Sequence, residues 1–272
     1  MEKEMKIAVL IDAENISGKY VNVILSEANK LGNVIYKRIY GDWTSSQMGT
    51  WKNVILDNAI QPIQQYKNVS GKNSSDSSLI IDAMDLLYQG KADGFCIVSS
   101  DSDFTRLASR LREAEKFVLG MGEKKTPRSF ISACNRFSYL DLLLEAAAEH
   151  AAPVVKATPV EKNEKPDRNK KKKNERQDAV KKAPREVVEN GSNLQSVCTA
   201  LEELVEENSD DEGWIYSGKL GYLLGKRFPD FDVRNFGARK FTVFVRELGL
   251  FEVRELLDDE SETSKRIYFR LK

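Results

Sequence analysis

The sequence predicts an α/β fold with a parallel sheet and helices on both faces, followed by a small winged-helix-like α+β domain. Three observations predict it. Short apolar runs alternate with amphipathic segments over the first 145 residues, a basic segment poor in apolar residues follows, and amphipathic stretches then return before two alternating runs. Apolar strands separated by helices are typical of a parallel sheet buried on both faces.

The first part of the chain contains six strand-like runs and five helix-like stretches. The predicted strands are 7–11, 34–40, 60–66, 94–99, 116–121 and 137–140. The predicted helices, with apolar residues at helical spacing, are 19–31, 48–59, 75–88, 104–114 and 126–133. This alternation predicts a first domain over residues 1–150.

A change of composition separates two domains. Residues 151–190 carry 12 basic and 7 acidic side chains, four prolines and the run Lys170–Lys173, which predicts a flexible basic linker. The following residues, 191–272, show three helical apolar faces and then two alternating runs around an acidic turn. Three helices and a hairpin in this length predict a winged-helix-like domain.

The composition limits the kinds of catalysis, partner and cellular compartment that we expect. Lys+Arg and Asp+Glu balance at 42 each, so net charge does not indicate a partner, and the single histidine makes histidine-based catalysis a poor expectation. The three cysteines are scattered without a CxxC pair, which predicts a reducing cytoplasm. Neither a signal peptide nor a run of membrane-spanning length is visible, so we expect no membrane association.

Acidic residues follow two of the predicted strands. Asp12 ends the first strand, and Asp101 and Asp103 follow the fourth, while Asp76 lies at the start of a predicted helix. If the first and fourth strands are neighbours, these acids meet at the carboxyl edge of the sheet, where doubly wound folds bind ligands. Asp82, six residues after Asp76, falls on a different side of that helix.

Gathered carboxylates repel one another unless a cation lies between them. Oxygen ligands suit Mg²⁺ or Mn²⁺, and such ions hydrolyse phosphodiesters without histidine. Helix capping is the alternative interpretation of the same aspartates. Asn15 and Ser100 are candidate supporting or water-holding groups, and each could equally cap a helix.

Three motifs, "VLIDAENIS", "GKNSSDSSLIIDAMDLLYQGKADGFCIVSSDSDFTRLASRLREA" and "GMGEKKTPRSFISAC", resemble the NYN domain of the LabA-like family, a branch of the PIN-like nucleases. The resemblance covers roughly residues 5–145. It implies a parallel α/β domain and a metal-dependent ribonuclease site made of Asp12, Asp76, Asp101 and Asp103. Asn15 matches the asparagine of the first motif, and Asp82 falls on a recurrent position.

The stretch "GWIYSGKLGYLLGKRFPDFDVRNFGARKFTVFVRELGLFEVRE" resembles a LOTUS (OST-HTH) domain over about residues 193–272. The resemblance implies a module that binds RNA or a protein partner. Its net charge of −4 predicts that any RNA-binding face is local. Arg239 and Lys240 open the third predicted helix, where helix-turn-helix proteins meet nucleic acid. Pairing of these two residues with Asp230 or Asp232 is the competing interpretation.

Basic residues near the acids are candidate phosphate contacts. Lysine, arginine and helix N-termini commonly hold phosphates. The candidates, which could equally be ordinary solvated side chains, are Lys72, Lys124, Lys125 and Arg128.

Two alternatives to a PIN-like ribonuclease remain open. A Toprim domain would use Glu14 with Asp101 and Asp103 but would leave Asp76 without a role. A non-catalytic RNA-binding regulator would hold a metal weakly and grip RNA through the linker and the C-terminal domain. RNA cleavage measured with and without Mn²⁺ separates the ribonuclease from the regulator.

Overall fold

The computed structural model describes residues 4–66, 74–151, 193–258 and 261–272. The predicted linker over 151–190 therefore lies outside the described residues apart from Ala151, and so does Lys72. In the described part of the chain, no helix is long and apolar enough to cross a membrane.

The first domain is built on a six-stranded parallel sheet, as predicted. Its strands are β1 Lys6–Asp12, β2 Asn33–Gly41, β3 Gln61–Gln64, β4 Gly94–Val98, β5 Phe117–Gly122 and β6 Arg136–Tyr139. Their spatial order is β3-β2-β1-β4-β5-β6, and every neighbouring pair is parallel. The expectation that the first and fourth strands are neighbours is confirmed, so the switch point lies between β1 and β4.

Helices cover both faces of this sheet. They are α1 Val21–Asn29, α2 Gly49–Ile55, α3 Ser74–Tyr88, α4 Thr105–Glu113, α5 Arg128–Ala133 and α6 Leu140–Ala151. Strand β1 shows why both faces are needed, because Ala8 and Leu10 join one apolar core while Ile7, Val9 and Ile11 join the other. A strand that is apolar on both sides requires a layer of helices on each.

The C-terminal domain is a second, smaller α+β unit with its own sheet. Its elements are α7 Leu194–Asn208, β7 Ile215–Tyr216, α8 Ser217–Arg227, α9 Phe241–Glu247, β8 Phe251–Asp258 and β9 Ser261–Leu271. The strands form an antiparallel sheet in the order β7-β9-β8. Its core packs Leu201, Leu220, Val245 and Phe269 together, which is the arrangement expected for three helices against a hairpin.

Candidate metal centre at the sheet edge

Asp12 lies buried at the carboxyl end of β1 and is 1% exposed. Its carboxylate accepts hydrogen bonds from the main-chain N–H groups of Glu14 and Asn15 at 3.1 and 3.3 Å. The Asn15 side chain donates a third at 2.6 Å and the Ser99 hydroxyl a fourth at 2.8 Å. Burial nevertheless raises the pKa of Asp12, because these hydrogen bonds offset only part of the lost solvation.

Ser99 connects the ends of the two central strands. Ile11 pairs with Val98, so Asp12 and Ser99 are level where β1 and β4 end. The Ser99 hydroxyl donates to Asp12 and accepts a hydrogen bond from the Asp101 N–H at 3.1 Å. A single buried hydroxyl therefore orients the acid at one strand end and the backbone that carries the next acid.

Asp101 and Asp103 lie at the start of a short 3-10 helix, Ser102–Phe104. The Asp101 carboxylate accepts a hydrogen bond from the Asp103 N–H at 2.9 Å, which is the geometry of an N-cap. The capping interpretation of Asp101 is thus observed. This hydrogen bond leaves the Asp101 carboxylate free to accept a further ligand, because a carboxylate has about four lone-pair sites.

Asp76 brings a third carboxylate to the same place from the first turn of α3. One ligand oxygen each of Asp76, Asp101 and Asp103 lies within 4.8 Å of the others, forming a group we call the acidic triad. Asp12 is not a member of this group in the described structure. Its charge nevertheless acts on Asp76.

The electrostatic environment of Asp76 disfavours its charged form. Burial, followed by the negative charges of Asp12, Asp101, Asp103 and Glu14, raises the pKa of Asp76 from 3.8 to about 7. Asp76 is buried, with only 7% of the residue exposed. A divalent cation would relieve this repulsion, and an all-oxygen donor set fits a hard ion such as Mg²⁺ or Mn²⁺.

The predicted supporting residues have different roles. Asn15 contacts Asp12 directly, as described above. The Ser100 hydroxyl instead accepts a hydrogen bond from the Glu123 N–H at 2.9 Å and so fixes the loop after β5. Asp82 lies apart from the triad and accepts hydrogen bonds from Arg38 and the Tyr40 hydroxyl, which attaches α3 to β2.

Three of the candidate phosphate contacts of the first domain lie in its described part, and all three are engaged in ion pairs. Lys124 and Lys125 lie in the loop that follows β5. Lys125 contacts Glu123 at 2.7 Å, and Lys124 contacts Glu145 of α6 at 3.7 Å. Arg128 contacts a carboxylate of the other domain, Asp230, at 3.2 Å. Contact of these three side chains with RNA stays a prediction.

The basic pair of the C-terminal domain is exposed at the start of α9. Arg239 and Lys240 immediately precede that helix. The two acids considered as their partners are bound by other side chains: Asp230 by Arg128 and Tyr139, and Asp232 by Arg234 and Arg136.

Two residues at the site were not among the predicted residues of the ribonuclease site, although Glu14 was considered for the Toprim alternative. Ser99 bridges Asp12 and Asp101, and the charge of Glu14 contributes to the raised pKa of Asp76. Ser99 directly follows the apolar run of β4, so the strand-end rule that selected Asp12 could have been extended to it.

Comparison with known proteins agrees with this architecture. The NYN domain family matches residues 6–142, half of the chain, and the OST-HTH/LOTUS domain family matches residues 179–258. No curated protein matches. A crystal structure of a protein of unknown function from Vibrio parahaemolyticus is 17% identical and covers 50% of this chain and 93% of its own, with a TM-score of 0.42.

These domains set the broad class of the protein. An NYN domain indicates a nuclease-like fold of the PIN-like group, and an OST-HTH/LOTUS domain indicates RNA binding. The acidic triad lies where such a fold carries its ligands, at the carboxyl edge of the sheet beside the switch point. The chain belongs to the NYN domain family, with an OST-HTH/LOTUS domain following its NYN domain.

Proposed function

We propose that the chain is a divalent-metal-dependent ribonuclease that cleaves RNA phosphodiesters at the acidic triad. The observation that carries the proposal is the buried Asp76 carboxylate, whose pKa is raised to about 7 beside two further carboxylates within 4.8 Å. A fold retains such repulsion at a functional site when a cation compensates for it. The NYN domain match supports the same reaction class.

The residues have distinct roles in this proposal. Asp76, Asp101 and Asp103 hold Mg²⁺ or Mn²⁺, with Asp12 as a fourth carboxylate whose orientation Asn15 and Ser99 maintain. Such an ion activates water and neutralises charge on the phosphoryl oxygens when it is bound. Asp76 must lose its proton before it can ligate, so its raised pKa makes metal binding improve as pH rises.

The RNA is held by basic groups around this edge and in the C-terminal domain. Lys124 and Lys125 lie in the loop that Ser100 fixes next to Asp101. Their ammonium groups exchange a carboxylate partner for a phosphate at little cost, because exposed ion pairs are worth about 0–1 kcal/mol. Arg239 and Lys240 provide a second contact on the exposed start of α9.

Cleavage of single-stranded RNA by the full-length protein tests the proposal. The protein is first treated with a chelator and then assayed without metal, with Mn²⁺ and with Mg²⁺. We expect cleavage only in the presence of a divalent ion, at a rate that follows metal occupancy. Tight RNA binding without cleavage under all three conditions would contradict the proposal and indicate an RNA-binding regulator.

A further inference from the structure

A short segment of the C-terminal domain, residues 229–234, contacts the NYN domain, and we call it the docking segment. Its residues alternate in direction. Asp230, Asp232 and Arg234 bind side chains of the NYN domain. Phe231 and Val233 pack against the core of their own domain. The segment, which is a turn at 229–230 and enters a 3-10 helix at Val233, thus presents its apolar side chains to its own domain and its charged side chains across the interface.

Asp230 is the most deeply placed charge of the docking segment, at 2% exposed. It accepts a hydrogen bond from the Tyr139 hydroxyl at 2.9 Å and one from Arg128 at 3.2 Å. Both donors belong to the NYN domain, one at the end of β6 and one at the start of α5. Burial, together with the charge of Asp230, raises the pKa of Tyr139, so the hydroxyl stays a donor.

In the second contact the NYN domain supplies the carboxylate and the C-terminal domain supplies the arginine. Glu27 of α1 is 5% exposed and accepts hydrogen bonds from two nitrogens of Arg234 at 2.9 and 3.3 Å. Burial alone would raise the pKa of Glu27, but the hydrogen bonds from Arg234 and Lys30 hold it below its ordinary value. Arg234 is itself oriented by Asp232, which accepts from its Nε at 2.9 Å. The guanidinium is thus pre-positioned for a two-point contact.

The two contacts are reciprocal. Each domain places one nearly buried carboxylate in the interface, and an arginine of the other domain binds it. Desolvating a carboxylate is unfavourable unless a well-placed partner compensates, so this interface is favourable in one orientation and poor in others. Interfaces of this kind specify geometry.

A main-chain contact reinforces the orientation. The Phe137 N–H donates to the Pro229 carbonyl at 2.7 Å, so the C-terminal domain covers part of β6. Strand β6 ends the order of the six-stranded sheet and is therefore an edge strand. Covered edges are protected from pairing with other chains.

One contact of the interface lies at the same edge of the sheet as the candidate metal centre. Tyr139 ends β6 at the same carboxyl edge at which β4 leads into Asp101. Only β5 separates these two strands, a lateral distance of about 10 Å. Arg239 and Lys240 follow the docking segment within a few residues. The Asp230 contact of the C-terminal domain therefore lies at the same edge of the sheet as the acidic triad, two strands away from β4.

We propose that the docking segment holds the two domains as one rigid unit, so that RNA bound on the C-terminal domain reaches the acidic triad at a fixed distance. The RNA part of this inference rests on the proposed function, whereas the docking part does not. Because both domains belong to one chain, docking is intramolecular and a high local concentration favours it.

The experiment uses the full-length chain and reverses one charge pair. The variants are Arg234→Glu, Glu27→Arg, the double swap that restores opposite charges, and Asp230→Asn, which keeps a hydrogen-bond acceptor for Tyr139. The control is Arg227→Glu, because Arg227 pairs with Glu203 inside the C-terminal domain. Small-angle X-ray scattering reports whether the domains are docked, and circular dichroism verifies that each variant is folded.

We expect both single reversals to enlarge the maximum dimension, with the docked–undocked equilibrium shifted by at least about tenfold. The double swap should return part of the compactness, because it restores opposite charges across the interface but leaves like charges beside Asp232 and Lys30. Arg227→Glu should match wild type. Unchanged scattering in folded Arg234→Glu and Asp230→Asn proteins would overturn the docking.

The second readout is the position of cleavage on an end-labelled single-stranded RNA in Mn²⁺. A fixed distance predicts a dominant product for wild type and the double swap, and scattered products at similar total cleavage for Arg234→Glu. The same dominant product from an undocked variant would overturn the RNA part. If wild type does not cleave at all, the RNA part fails together with the proposed function, while the scattering result still decides the docking.

Discussion

The Ser99 hydroxyl donates a hydrogen bond to the Asp12 carboxylate at 2.8 Å and thereby joins the end of β4 to the end of β1. Ser99 is fully buried, as is the carboxylate that it contacts. Its oxygen also accepts from the Asp101 N–H. The position of two candidate metal-binding acids thus depends on one small side chain.

Replacing Ser99 by alanine should therefore lower both stability and activity. The change leaves buried Asp12 with one donor fewer and the Asp101 N–H without its acceptor, at a cost of about 1–3 kcal/mol. Urea unfolding of the metal-free protein measures the free energy, and cleavage in Mn²⁺ measures the activity. Ser102→Ala, three residues along on the exposed side of the same motif, is the control and should be close to wild type. Equal stability of the two variants would refute the bridging role.

Asp76 should make the metal-free protein less stable as pH rises. Its pKa is 3.8 ordinarily and about 7 in the fold, so between these values the folded protein keeps a proton that the unfolded chain has released. The folded state then binds more protons, and the free energy of unfolding falls from about pH 4 to about pH 7 by about 1.4 kcal/mol per pH unit from this group. The groups that face it, Asp12, Glu14, Asp101 and Asp103, are all acidic.

The measurement is urea unfolding of chelator-treated protein between pH 4.5 and 8. Asp76→Asn removes this titrating group and should reduce the slope, to which Asp12 still contributes, while leaving the protein more stable than wild type at pH 8. Mn²⁺ should stabilise wild type more at pH 8 than at pH 5.5, because the ion competes with a proton. The same slope in both proteins would show that the Asp76 pKa is not raised.

Gly122 should not tolerate a side chain. A Cβ atom there would lie 2.5 Å from the Thr126 Oγ1 and 2.6 Å from the Ser99 carbonyl oxygen. Gly122→Ala should therefore lower the free energy of unfolding by about 1–3 kcal/mol and displace the loop that carries Lys124.

Gly225 in α8 is a matched control, since a Cβ there meets nothing within 4 Å. Gly225→Ala should stabilise the protein by about 0.5–1 kcal/mol. Thermal unfolding distinguishes the two, and a neutral Gly122→Ala would contradict the close packing.

Arg239 and Lys240 should contribute to RNA affinity. Reversing both charges should weaken the binding of single-stranded RNA by the full-length chain and reduce its salt dependence, because fewer counterions are released. Lys226→Glu with Arg227→Glu, an exposed basic pair at the end of α8, serves as the comparison and should have the smaller effect. Equal effects of the two pairs would place the RNA on another face. A wild-type chain whose C-terminal domain contributes nothing to RNA affinity would favour a protein partner.

Local patterns predicted most of the fold, and long-range partners account for what they missed. The six apolar runs of the first domain all became strands, whereas the adjacency of β1 and β4, which the site prediction took as a condition, is shown only by the structure. Two elements were not predicted. Helix α6 continues directly from the last strand, and β7 is two residues long, too short to show alternation.

Contacts between residues far apart in the sequence also explain why the site prediction was incomplete. The acids follow strands and are visible locally, but Ser99 acquires its role from Asp12, 87 residues away. Arg128 was assigned to RNA because its loop position is visible in the sequence, whereas its partner Asp230 is 102 residues away. Asp82 likewise meets Arg38 across the helix–sheet interface. Sequence spacing places a residue on a helix, strand or loop, whereas tertiary packing determines what its side chain contacts.

The most direct test of metal-dependent cleavage is the Asp101→Asn variant compared with Asp85→Asn under single-turnover conditions in Mn²⁺. Asparagine caps the 3-10 helix as well as aspartate does, so Asp101→Asn should fold normally and differ only in charge and ligation. Asp85 lies exposed on α3, the helix that also carries Asp76. The account predicts that Asp101→Asn loses at least about a hundredfold in rate, more than outer partners of a metal site usually cost, while Asp85→Asn cleaves like wild type. Wild-type cleavage by a folded Asp101→Asn protein would contradict it.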